Sequence, residues 1–384
     1  MIQKMKMLGL LAAVLASALS GRAGAQEVAK GPDAPFTRSA AQAILRDARK
    51  IPEPRGVEEL EAVEIGGVRQ WISVRGRDRR NPILLFVHGG PGSPEMPASW
   101  LYQAPWEDYF TVVQWDQRGA GKTAAANDAE KVTPTIGVER MVSDGEELVA
   151  YLRKTYGKQK IFVLGHSWGT VIGLRLAQRH PEWLHGYIGM GQVIYGPDNE
   201  RLSYEFALRQ AQKRGDREAI GELQALAPYP GPAGSMTAGK IVTERKWIQK
   251  FGGLNWDRDD YFQETMKQLS PEYTDEDVKQ DGVASIVALL PELSAIDFRS
   301  VKTLSCPIFI FAGRYDYETP SALAADWLAG LHAPRKQIFW FEHSAHMMQF
   351  EQPGAVFLRL VRDIRPLAAA VGDAAPDDAP GAGG

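Results

Sequence analysis

The chain has 384 residues, a formal net charge of -3, and 24% charged and 9% aromatic residues. Such values describe an ordinary soluble globular protein, long enough for one large α/β domain with an insertion or for two domains. They argue against a disordered chain, a membrane bundle and a nucleic-acid binder. Cys306 is the single cysteine, so neither an intramolecular disulfide nor a thiolate-rich metal site can be built. Placed before Pro307 and an apolar run, it reads as a small buried hydrophobe.

Residues 1–25 have the layout of a secretory signal, with Lys4 and Lys6 at a positive start, an apolar stretch over 7–20 and a small-residue cleavage site at Ala23-Gly24-Ala25. The apolar part is shorter than the roughly 20 residues of a spanning helix. Cleavage near Ala25 is therefore expected, giving a secreted or periplasmic protein without stable membrane insertion. The cut takes away Lys4, Lys6 and Arg22 and no acid, moving the formal charge from -3 to -6. An N-terminal extension over 26–56 follows, with one helix expected at 39–49.

From residue 57 to 195 the pattern is that of the first part of an α/β core. Two alternating runs, 58–65 and 68–75, meet at Gly66-Gly67, a two-residue hairpin signal. Continuous apolar runs follow at 83–87, 110–113 and 161–164, and again at 308–311 and 338–341. Short runs without polar alternation are what strands buried on both faces look like, so a mostly parallel sheet flanked by helices is expected. Between them Met141, Val142, Leu148, Val149 and Leu152 share one face of a helix ending near Gly157. Over 196–300 strand-like runs vanish, and amphipathic segments at 202–212 and 241–251 flank a Pro/Gly-rich loop at 228–239. This stretch reads as an inserted, mainly helical cap. The core resumes over 301–367, where Thr319 and Pro320 look like a cap and first-turn pair leading into Leu323, Trp327 and Leu331. The tail 368–384 is Ala, Gly, Pro and Asp with too little hydrophobicity to fold.

The chemistry concentrates after the strands. Gly165-His166-Ser167-Trp168-Gly169 follows the run 161–164 and opens a helical stretch, the strand-turn-helix setting of a nucleophile elbow. A sharp turn there forces the serine into a strained backbone conformation, and the flanking glycines let strand and helix approach. Serine is a weak nucleophile and needs a base, which in turn needs an orienting acid. Asp316, after the run 308–311, and His346, after the run 338–341, supply them in the order Ser, Asp, His. His346 is preferred to His343 because it leads directly into Met347, Met348 and the helix start at Glu351-Gln352-Pro353, whereas His343 abuts the strand end. Donors for an oxyanion are expected from the N–H of Trp168 and, in the loop His88-Gly89-Gly90-Pro91-Gly92 after the run 83–87, from the N–H of Gly90.

One motif is set aside. Gly119-Ala120-Gly121-Lys122-Thr123 ends like a phosphate-binding loop, but Asp116 stands where that loop requires glycine. Asp116-Gln117-Arg118-Gly119 reads instead as a structural turn with internal hydrogen bonds.

His88 to Gly92, Trp115 to Gly119 and Ser167 to Gly169 together resemble the α/β-hydrolases of the proline iminopeptidase type, over roughly 57–195 and 301–366. The resemblance implies an enzyme that releases an amino-terminal residue, typically proline, from short peptides, with no metal or organic cofactor. It implies Ser167, Asp316 and His346 as the triad and Gly90 and Trp168 as the oxyanion hole. The elbow here carries His166 before the serine, as many esterases do, so a carboxylesterase on the same fold stays open. A non-catalytic binding protein on this scaffold is a more distant alternative. The 196–300 segment holds 18 acids and 13 bases, enough carboxylates to hold an ammonium group, though a charged helical surface has the same composition. Oligomeric state and acyl group stay open.

Overall fold

Gly66 and Gly67 both adopt positive φ, +56° and +70°, the left-handed pair that a two-residue hairpin turn needs and that glycine supplies without steric penalty. They join β1 (Val57–Ile65) to β2 (Val68–Gly76) as an antiparallel pair. The computed structural model describes residues 36–232, 234–280 and 282–376. Two compact units divide between Ile44 and Leu45. Of the first, the described residues 36–44 include the start of the helix Arg38–Ala48, while the sheet, the cap and the site belong to the second. The expected signal segment lies outside the described residues.

The sheet continues through β3 (Ile83–Val87), β4 (Thr111–Asp116), β5 (Ile161–His166), β6 (Leu184–Met190), β7 (Ile308–Gly313) and β8 (Lys336–Phe341) in the spatial order β1-β2-β4-β3-β5-β6-β7-β8. β2 pairs antiparallel with β4, and every later pairing is parallel. Each residue of β3 to β7 is buried, as expected where helices cover both faces of a parallel sheet. One apolar cluster, with Trp115, Leu148, Ile172 and Tyr187, lies apart from a second with Phe86, Trp106, Phe162 and Phe311. Phe86 and Leu85 alternate between the two, so the clusters occupy opposite faces of the sheet.

The helix Val138–Thr155 buries all five residues of its predicted face. Strand β6 has no apolar run in the sequence, because Gly186, Gly189 and His185 interrupt it, although every position is buried. Residues 196–300 form the helices Gly196–Arg214, Arg217–Ala225, Ala238–Lys250, Phe262–Lys267, Asp275–Val278 and Val283–Leu293. Their own core gathers Phe206, Leu223, Trp247 and Phe251. Ordered chain also runs further than expected toward the C-terminus. Ala368 is fully buried, Asp373 accepts from Lys158 Nζ at 2.6 Å and pairs with His185 at 2.8 Å, and Arg365 donates to the Ala375 carbonyl. These polar ties replace the hydrophobicity that the segment lacks.

The chain leaves β3 for β4 on one side and then crosses back to β5 on the other. Ligands of open α/β sheets bind outside the carboxyl ends of the strands at such a point.

Candidate active site

Ser167 follows β5 with φ +53°, a left-handed conformation that a non-glycine residue rarely adopts. Three contacts hold it there. Its N–H donates to Met190 O at the end of β6 at 2.9 Å, and its carbonyl accepts from Thr170 N at 2.8 Å and from Thr170 Oγ1 at 2.6 Å. The tight bend depends on bare backbone on both sides. A Cβ on Gly165 would stand 2.5 Å from Gly169 O, and one on Gly169 would stand 2.0 Å from Val87 O. Ser167 is half-buried and sits at the N-terminus of the helix Gly169–Arg179, whose dipole favours negative charge developing there.

β3 pairs with β5, so the loop His88-Gly89-Gly90-Pro91-Gly92 emerges beside Ser167. Gly89 lies so close that a Cβ would be 3.0 Å from Ser167 Cβ. His88 is buried and neutral, its pKa pulled down to about 4 by burial. Its Nδ1–H donates to Gly89 O at 2.9 Å and its Nε2 accepts from Gln117 N at 3.3 Å. Gln117 Nε2 donates to His88 O at 2.9 Å, and Gln117 Oε1 accepts from Trp168 Nε1 at 3.0 Å. One glutamine thus fastens the loop to the elbow. Among the described residues no hydrogen bond uses the N–H of Gly90 or of Trp168, and both residues line a cavity with Ser167 and Pro91.

The turn expected at Asp116 to Gly119 is therefore more than a turn with internal bonds, because its side chains reach outward. Arg118 forms a buried ion pair with Asp144 at 2.7 Å and donates to Gly66 O. Asp116 accepts from Lys122 N and from the hydroxyl of Tyr273. Lys122 itself pairs with Asp277 at 2.6 Å.

Asp316 and His346 come from the loops after β7 and β8, and both are 3% exposed, so neither is solvated on its own. His346 Nδ1–H donates to Asp316 Oδ2 at 2.9 Å. Burial lowers the imidazole pKa, but the charge and hydrogen bond of Asp316 outweigh it and the net direction is upward from the ordinary value. The other acceptor sites of Asp316 are filled by Thr319, whose N–H donates to Oδ1 at 2.8 Å and whose hydroxyl donates to Oδ2 at 3.0 Å. Here the structure corrects the expected helix cap: Pro320 occupies the cap position, the helix runs Ser321–Gly330, and Thr319 serves the carboxylate. His346 Nε2 makes no hydrogen bond to Ser167 Oγ among the described residues, yet both side chains line one small cavity. His343, by contrast, is exposed.

Several contributors gave no signal in the sequence. Cap residues 253–256 stitch the two loops: Tyr317 N donates to Gly253 O at 3.0 Å, His346 N to Leu254 O at 2.9 Å, and Trp256 N to the Glu351 carboxylate. His166 packs on His346 with ring centroids 4.7 Å apart, and its Nε2–H donates to His346 O at 3.1 Å. Burial keeps His166 neutral, leaving a buried Nδ1 without a hydrogen-bond partner, 3.8 Å from Glu95 Oε1. Glu95 is buried as well, which pushes its carboxyl up to about 7.

Two cavities meet at Ser167. One of about 210 Å³ is walled mainly by aliphatic side chains, with Glu200, Arg245 and Glu318 at its polar end. The other, of about 160 Å³, is mixed, with Glu95, Lys267 and His346 beside Leu254, Met347 and Phe350. Glu318 lines both. Arg245 Nε donates to Glu318 at 2.5 Å, Nη2 to Glu200 at 2.6 Å, and Nη1 to Glu244.

This sheet, with its elbow after β5 and its helical insertion before β7, is that of an α/β-hydrolase. The family's model matches residues 82–353, and the chain belongs to that family and is a hydrolase. A Bacillus subtilis (strain 168) protein named "Probable aminopeptidase YbaC" is 27% identical over 324 residues, which is 82% of this chain and 99% of that one. A proline iminopeptidase of Heyndrickxia coagulans is 26% identical over 272 residues, 70% of this chain and 86% of its own. Among solved structures, a proline iminopeptidase-related protein from Thermus thermophilus aligns with a TM-score of 0.57 at 20% identity, over 82% of this chain and 98% of that one. At that identity the likeness is one of fold.

Proposed function

We propose that the protein is a serine aminopeptidase that cleaves amides by acyl transfer. Ser167 Oγ attacks the substrate carbonyl while His346 Nε2 takes its proton. Asp316 holds the ring in the tautomer that leaves Nε2 free and stabilises the imidazolium that forms. The N–H groups of Gly90 and Trp168 receive the oxyanion. His346 then protonates the leaving amine, and a water deprotonated by the same ring releases the acyl group from Ser167. The observation that carries this reading is the 2.9 Å bond from His346 to Asp316 on a ring that shares a cavity with the strained Ser167.

The amino-terminal part of the proposal rests on charge. Glu200, Glu244 and Glu318 surround the single guanidinium of Arg245. Burial pushes the Glu244 carboxyl up, toward its neutral form. Even with Glu244 left out of the count, Glu200 and Glu318 are two carboxylates on one guanidinium, and both line the cavity at Ser167. An ammonium group would balance the surplus. The mostly aliphatic lining of the same cavity supports a second reading, a carboxylesterase. Aminoacyl p-nitroanilides with free and acetylated amines separate the two: an aminopeptidase loses cleavage on acetylation, and an esterase prefers p-nitrophenyl esters whatever the amine. We also infer export after cleavage near Ala25, which the mass of the protein recovered outside the cytoplasm would test.

A further inference from the structure

Resting on the aminopeptidase reading, we propose that the residue released carries a large apolar side chain, of the leucine, methionine or phenylalanine class, rather than proline. That side chain fills the 210 Å³ cavity, and the leaving amine departs through the second, more polar cavity that Ser167 also lines.

Size is the first argument. An apolar cavity of about 150 Å³ already takes a benzene molecule, so one of about 210 Å³ admits a phenylalanine ring. The proline ring brings only three carbons beyond the backbone, against four for leucine and seven for phenylalanine, and fills the least of that space.

The lining of that cavity is mostly aliphatic. Val171 comes from the elbow helix, Met236 and Ile241 from the cap, and Ile286 and Leu290 from the cap helix Val283–Leu293. That helix is apolar almost throughout, yet it buries only Ser285 and Leu289. Ile286 and Leu290 lie four residues apart and therefore on one face, and both remain half-buried. An apolar face that lines a cavity instead of filling the core gains its burial when a guest side chain displaces water.

Third, Glu318 lines both cavities. An amino-terminal residue has its ammonium on the carbon between side chain and scissile carbonyl. With the side chain in one cavity and the leaving group in the other, that carbon lies at their junction, where Glu318 stands. The second cavity, where Glu95, Glu264 and Lys267 stand beside Leu254, Met347 and Phe350, is the more polar of the two and suits the hydrogen-bonding backbone of a peptide leaving group better than the first.

The test is a panel of free-amine p-nitroanilides of leucine, phenylalanine, alanine and proline, run on the wild type and on Leu290→Trp and Ile286→Trp. One methylene in an apolar pocket discriminates by about 10- to 200-fold. The leucine and phenylalanine substrates are therefore expected to exceed alanine and proline by at least about tenfold in kcat/KM. Either tryptophan should cut the leucine-to-alanine ratio by a similar factor. Alanine or proline ranking first in the wild type would overturn the proposal, as would a ratio unmoved in both variants. Failure of the aminopeptidase reading is recognised separately, by acetylation of the amine leaving the rates unchanged.

Discussion

The imidazole of His346 lies against the backbone of Gly191: a Cβ on that glycine would stand 2.7 Å from Cε1 and 2.9 Å from Nδ1. Gly191 has φ +60° and directly follows β6, between the strand that carries Ser167 and the one that leads to Asp316. Gly191→Ala should push the ring away from Asp316. A displacement of about 1 Å costs on the order of 100-fold in kcat, with a stability loss of about 1 kcal/mol from the left-handed backbone. Steady-state kinetics and thermal melting check both, and an unchanged kcat would refute the packing argument.

Ser167→Ala should abolish turnover and labelling by a fluorophosphonate while the melting temperature stays close to wild type. Asp316→Asn should retain labelling at a reduced rate, with kcat down by about 10⁴-fold as the wrong tautomer of the ring is favoured. Substantial turnover by the alanine variant would remove Ser167 from the mechanism.

The acid limb of the pH profile follows from the same pair. Only neutral His346 can take a proton, so kcat/KM falls as pH drops through its pKa. Burial pulls that pKa down and Asp316 more than restores it, placing the midpoint above the ordinary 6.5. In Asp316→Asn the burial remains and the charge does not, so the midpoint should move below 6.5. A limb that stays where it was would mean that another group titrates.

Glu95 gives a stability prediction of opposite sense to a paired carboxylate. Its folded pKa is raised by burial from 4.5 to about 7. Between those values the folded protein keeps a proton that the unfolded chain has released, so stability present below the lower value is lost as pH rises through the upper one. Glutamine mimics the protonated acid. Glu95→Gln should therefore match wild type near pH 5 and exceed it above pH 7, by on the order of 3 kcal/mol. Denaturant melts at the two pH values test this, and an equal difference at both would show that Glu95 does not titrate on unfolding.

Asp144 is 0% exposed and accepts from Arg118, Arg140 and Gln70. Asp144→Ala strands the buried guanidinium of Arg118 and should cost about 3–5 kcal/mol. Chemical denaturation reads the loss; a change under about 1 kcal/mol would mean that Arg118 finds another partner.

Local chemistry determined a good part of this protein from the sequence alone. A glycine pair that can take positive φ makes the β1–β2 hairpin, unbroken apolar runs make buried strands, and Gly165 and Gly169 permit the bend at Ser167. Each needs only neighbours in the chain. Tertiary structure decided whatever depends on distant segments sharing space. β6 was hidden because its glycines and His185 are made strand-like by the neighbours on either side. Thr319 looks like a helix cap, but the helix starts only at Ser321 and the N–H and hydroxyl of Thr319 donate to Asp316. Glu95, Gly191 and Glu318 have no local signature: burial, contact with an imidazole and a position between two cavities arise only when strands far apart in the chain end side by side. The acidic excess of the cap is countable in composition, but the gathering of Glu200 and Glu244 with Glu318 on Arg245 beside the site comes from helix packing, which no linear pattern encodes.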